Sequence, residues 1–130
     1  MSGSLDTSVL LRALVRDEPV QTKQALGIIR DTQSQLAVAD VAFVEAAHVM
    51  QWYYHISRSD ICNLITQFIR LEVINCNRLM LDAAMAIYVD HPSLSFEDCC
   101  LAVYAELNDA VPLYTFDKKL AAQTTQAQLI

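Results

Sequence analysis

Short apolar runs alternate with helical segments along the whole chain, and that alternation limits the fold more than any other feature. Leu5-Asp6 reads as the end of a short strand, Leu36-Ala37-Val38-Ala39 as a buried strand, Glu72 to Cys76 as a third, and Val111 to Phe116 as a last one ending at Asp117. Strands separated by helices pair in parallel through crossovers, because a parallel partner cannot be reached by a tight turn. The prediction is an α/β fold, a three-layer sandwich around a central, mostly parallel sheet of roughly four to five strands. At 130 residues, with no internal repeat and no linker, residues 1–130 are expected to form a single domain.

Helix boundaries are written in local chemistry. Thr7 or Ser8 opens a helix whose apolar run is Val9 to Val15, with Arg12 and Arg16 one turn apart. Asp17-Glu18-Pro19 breaks it and starts the next, with proline in the first turn. Val20 to Arg30 follows, with Ala25, Leu26, Ile28 and Ile29 as the predicted buried face. Asp40 is expected to cap a helix running from Val41 to about His55. Ser57-Arg58-Ser59-Asp60 has the spacing of a capping box ahead of Ile61 to Leu71, and Asn75 or Asn77 caps a helix to Tyr88. Ser95 opens another, through Leu107, and the polar tail from Gln123 is expected to fray.

Composition narrows the class. Hydrophobic residues make up 54% and charged residues 18%, which excludes disorder. No apolar stretch reaches the roughly 20 residues of a membrane span. Met1-Ser2-Gly3-Ser4 lacks the basic and apolar regions of a signal peptide, so the expectation is a cytoplasmic protein with no membrane role. Nine Lys and Arg against 15 Asp and Glu give a net charge of −6, which argues against broad electrostatic binding of nucleic acid. That argument weakens if divalent ions neutralise some of the acids. Cys62, Cys76, Cys99 and Cys100 form no C-x-x-C pair and have no histidine at zinc spacing, so they read as small apolar filler.

Asp6, Glu45, Asp98 and Asp117 stand at the edges of apolar runs, each at a strand–helix junction or in the first turns of a helix. Carboxylates are seldom buried unpaired, because desolvating a charge costs several kcal/mol or more. Four such acids, distributed from one end of the chain to the other, suggest one shared cation site. In open α/β sheets such sites form beyond the carboxyl ends of the strands. Each acid also has a plain structural reading: Asp6 as a helix cap, Glu45 as the partner of a distant arginine such as Arg12, Asp98 as part of a capping box with Ser95, and Asp117 as a turn residue.

The blocks around these acids resemble the PIN domain family, and in particular its VapC-type toxins. Leu5-Asp6-Thr7-Ser8-Val9-Leu10 is similar to the opening motif, and Val44-Glu45-Ala46 to the second acid. Ser95-Phe96-Glu97-Asp98 with Cys99-Cys100-Leu101-Ala102 resembles the third block, and Leu113 to Leu120 around Asp117 the fourth. Ser2-Gly3-Ser4 departs from the usual apolar first strand, and Ser8 stands where asparagine is common; its hydroxyl can still bond the neighbouring carboxylate. The resemblance implies a magnesium- or manganese-dependent endoribonuclease holding one or two ions. Asp6, Asp98 and Asp117 would reach metal directly or through water, Glu45 would complete the cluster, and Thr7, Ser8 and Thr115 would supply supporting hydroxyls. It also implies an RNA substrate, a cognate antitoxin as inhibitor, and a homodimer. A PIN nuclease of RNA processing outside any toxin system, or a catalytically silent PIN-fold binding module, are the alternatives.

Arg12 and Arg16 fall on one helix face, where they contact RNA or a partner, or are solvated surface. Lys118 and Lys119 directly follow the last acid and are candidates for phosphate contact. Gln51-Trp52-Tyr53-Tyr54-His55 is rich in aromatics and reads as core or protein interface, with base stacking as the alternative. His48, His55 and His91 are dispersed, and none reads as a catalytic base.

Overall fold

The computed structural model describes residues 1–130 and divides the chain into two compact units, Met1–Asn77 and Arg78–Ile130. The first contains β1 (Gly3–Leu5), α1 (Thr7–Val15), α2 (Pro19–Asp31), β2 (Leu36–Val38), α3 (Asp40–Trp52), α4 (Arg58–Phe68) and β3 (Ile74–Asn75). The strands form a parallel sheet in the order β1-β2-β3, with Leu5 opposite Val38 and Leu36 opposite Ile74. Position in the sheet explains the composition of each strand. Central β2 buries Leu36 and Val38, whereas edge strand β1 exposes Gly3 and Ser4 and buries only Leu5. The polar Ser2-Gly3-Ser4 segment is therefore compatible with a strand, because an edge position needs only one apolar face.

Helix α1 packs against α2, α3 and α4. Its buried Leu10, Ala13 and Leu14 meet a unit core to which α3 contributes Ala42, Phe43, Ala46, Ala47 and Met50, and α4 contributes Ile61, Ile65 and Phe68. Phe43 and Phe68 meet edge to face with ring centroids 6.2 Å apart, a favoured aromatic geometry. Glu18 caps α2 by accepting from the Val20 and Gln21 amides, with Pro19 in its first turn, and Ser57 caps α4 by accepting from Asp60.

The second unit contains α5 (Arg78–Asp90), α6 (Phe96–Leu107), β4 (Leu113–Thr115), α7 (Lys118–Gln123) and β5 (Ala127–Leu129). Helices α5 and α6 pack together, with Tyr88 edge-on to Phe96 at 5.5 Å. Ser95 and Asp98 close a reciprocal capping box at the start of α6. Strands β4 and β5 pair in parallel around α7, with Tyr114 opposite Gln128. No helix is long and apolar enough to cross a membrane.

Several expectations are corrected. The single sheet of four to five strands is instead a three-stranded sheet and a separate two-stranded one. The tail does not fray: Ala127–Leu129 pairs with β4, because ladder hydrogen bonds outweigh a polar composition. The expected apolar face of α2 is only partly covered, with Ala25 buried, Leu26 and Ile29 half-buried and Ile28 51% exposed. Asp40 is the first residue of α3 and not its cap, a position taken by Ala39 without a side-chain bond. Helix α3 also ends at Trp52, short of His55, whose φ of 57° is left-handed.

Candidate active site

Asp6 leaves the carboxyl end of β1 and caps α1. Its Oδ1 accepts from the Ser8 hydroxyl at 2.6 Å and from the Val9 amide at 3.1 Å. These bonds, the Ser8 hydroxyl foremost, hold the Asp6 carboxyl below the ordinary aspartate value, so the group stays ionised into more acidic solution. Both of these hydrogen bonds fall on the same oxygen, Oδ1. Ser8 thus bonds the neighbouring carboxylate as a hydroxyl at that position can.

Asp117 repeats the plan in the second unit. It follows β4 and caps α7, with Oδ1 accepting from the Lys119 and Leu120 amides at 2.9 and 3.2 Å. Thr115 is used differently from Ser8: its hydroxyl accepts from the Asp117 backbone amide at 2.9 Å. Asp98 completes its capping box through Oδ2, which accepts from the Ser95 amide at 3.2 Å. Cap and ligand are therefore not exclusive roles. In all three aspartates one oxygen is fixed by a helix N-terminus and the other is open.

Glu45 lies in the middle of α3, whose opposite side carries the buried Ala42, Phe43, Ala46 and Ala47. It has no hydrogen-bond or ion-pair partner. The alternative pairing with Arg12 is not present. Arg12 instead donates to Asp17 at 3.1 Å, to the Tyr54 hydroxyl at 3.2 Å and to Gln21 at 2.7 Å. Tyr54 in turn donates to Asp17 at 2.9 Å, and this bond is the main cause of the lowered Asp17 carboxyl. That three-membered tie between α1, the α1–α2 turn and the end of α3 has no signature in local spacing. Arg12 is held, not solvated, while Arg16 ends α1 in a left-handed conformation, φ 59°, and donates to the Ala13 carbonyl. Thr7 is half-buried in the first turn of α1.

Desolvation is not what singles these acids out: Asp6, Glu45 and Asp117 are exposed, and Asp98 is half-buried. Asp6 and Glu45 belong to the first unit, Asp98 and Asp117 to the second. Neither unit alone holds a group of three or more His, Cys, Asp or Glu placed to bind a metal ion. The donor set itself is all oxygen, the chemistry that Mg²⁺ and Mn²⁺ prefer. Beside the β1–α1 junction, a cleft of ≈ 780 Å³ opens between α1 and α2, lined by Ser8, Val9, Arg12, Lys23, Gln24 and Ile28 among others. In the aromatic block, Trp52 is 64% and Tyr53 73% exposed, so neither is core.

Residues 4–124 match the PIN domain family, and the chain belongs to that family. PIN domains are generally metal-dependent nucleases, which supports a hydrolase. No curated protein matches the chain.

Proposed function

We propose that this PIN domain is a metal-dependent endoribonuclease that hydrolyses RNA phosphodiesters, and that it acts as the toxin of a VapBC-type pair, silenced by a cognate antitoxin. The observation that supports the nuclease reading best is the shared geometry of the aspartates, each with one oxygen immobilised on a helix N-terminus and the other open. Fixing the carboxylate in advance removes part of the ordering cost of ligation. By the family resemblance, Asp6, Asp98, Asp117 and Glu45 are the residues that would hold Mg²⁺ or Mn²⁺. When bound, such an ion supplies positive charge at a phosphate oxygen, a more acidic water and a stabilised leaving oxygen.

The chain's own residues have distinct tasks. Ser8 holds the Asp6 rotamer and keeps its charge. Glu45, exposed and unpartnered, accepts a hydrogen bond from the attacking water and orients it. Lys118 and Lys119, both exposed at the start of α7, neutralise phosphate. The toxin role and the homodimer rest on the resemblance of the four motif blocks.

The test is cleavage of a mixed RNA pool by wild type and Asp6→Asn, with Mg²⁺, Mn²⁺ or chelator. Metal-dependent cleavage that disappears in the variant supports the reading; equal cleavage by both proteins overturns the site. For the toxin role, induced wild type should arrest growth while Asp6→Asn does not. RNA cleavage without growth arrest would point to RNA processing instead.

A further inference from the structure

We propose that β4 and the residue after it present a base-stacking platform for unpaired RNA beside Asp117, formed by Tyr114 and Phe116 and flanked by Lys118 and Lys119. The inference rests on the nuclease reading and names the form of RNA that the site takes. Tyr114 is 63% exposed and Phe116 80% exposed, in a segment whose Leu113 and Thr115 are half-buried. Neither ring stacks on another aromatic side chain, and the Tyr114 hydroxyl has no partner. The two rings thus do nothing for the core of their unit, although large exposed apolar groups carry a solubility cost. Exposed Gln128 lies opposite Tyr114 in the ladder and adds an amide beside the rings.

Charge selects the occupant. The protein is acidic overall, yet Lys118 and Lys119 follow Asp117 directly, both exposed and neither ion-paired; Lys23 is the only other lysine in the chain. A second copy or an apolar partner seated here would have to cover two unpaired ammonium groups, and lysine is depleted from interface cores for that reason. A single nucleic-acid strand satisfies both features, with base faces on the rings and phosphates on the lysines. A duplex does not, because its base faces are stacked inside. A nucleotide seated on Phe116 places its phosphate next to the residue whose carboxylate keeps an oxygen open.

The experiment measures binding of a short, labelled, unstructured RNA in Mg²⁺, in an Asp6→Asn background so that the RNA stays intact. Phe116→Ala and Phe116→Leu should each weaken binding by roughly 10-fold or more, as loss of one stacked base does, while Phe116→Trp retains it. Lys118→Ala should flatten the salt dependence. Unchanged melting curves for these exposed positions separate the effect from misfolding. Several results overturn the platform: a parent that binds no unpaired RNA, equal affinity across the variants, full rescue by leucine, or competition by duplex RNA as effective as by single strand. Loss of self-association in Phe116→Ala, with RNA affinity intact, would make the patch an interface between copies. Cleavage by the wild type is read separately, so a wild type that cuts RNA while the variants bind normally removes only the platform.

Discussion

The β1–α1 junction and the β4–α7 junction follow one local plan, a strand, an aspartate and a helix whose first amides the aspartate caps. They differ in where the nearby hydroxyl goes. Ser8, two residues after Asp6, donates into the carboxylate and lowers its proton affinity. Thr115, two residues before Asp117, accepts from the backbone amide and braces the chain instead. One junction tunes a charge and the other stiffens a turn. Motif position alone does not say what a supporting hydroxyl does; the side of the aspartate on which it stands does.

The largest expected effect tests whether the junctions are equivalent in chemistry. Asp6→Asn and Asp117→Asn should each lower metal-dependent RNA cleavage by at least about 100-fold, since loss of even a ligand's hydrogen-bond partner costs 10–100-fold. Asparagine caps helices as well as aspartate, so circular dichroism melts should barely move. Activity lost in the first variant and kept in the second would break the parallel.

Ser8→Ala sharpens the difference, with an expected loss of roughly 10-fold in Mg²⁺ affinity by calorimetry. The Asp6 pKa should move up, a shift that a carboxyl-carbon NMR titration resolves. The sign follows from linkage. A carboxyl whose folded value lies below its unfolded value adds stability that is present above the unfolded value and lost as pH falls through the folded one. Wild type should therefore exceed Ser8→Ala in stability near neutrality, and the two should converge once Asp6 is protonated. A constant gap at all pH values would assign Ser8 a packing role.

Thr115→Val should do the reverse, costing about 1 kcal/mol in a urea titration for the lost hydrogen bond while leaving the Asp6 titration in place. The smallest effect concerns the end of α6, where Asp109 adopts φ 52°, a conformation that glycine takes without a side-chain clash. Asp109→Gly should raise stability by about 0.5 kcal/mol, provided the relief exceeds glycine's larger unfolded entropy. A decrease would show that the Asp109 side chain stabilises the turn.

Much of this was legible from residues in order. The starts of α1, α4 and α6 followed from Asp6, Ser57 and Ser95, because capping bonds join atoms two or three residues apart. Asp6 was visible both as a cap and as a candidate ligand, and the structure shows the first role. The inference from burial was not sound: three of these acids are exposed and Asp98 is half-buried, so their isolation in apolar sequence reflected helix faces and strand ends, not desolvation. Exposed Ile28 in α2 shows the same limit, since an apolar stripe predicts a face but not what covers it.

The sequence by itself determined the alternation of β1 to β4 with α1 to α6 and the starts of α1, α4 and α6, because each depends on periodicity or on hydrogen bonds within one turn. Only the tertiary structure decided that the strands divide into two sheets, that Ala127–Leu129 pairs with β4, and that Arg12 is tied to Asp17 and Tyr54. Those outcomes join residues far apart in the chain, and the free energy that selects them is set by which backbone edges and side chains meet after the helices have packed.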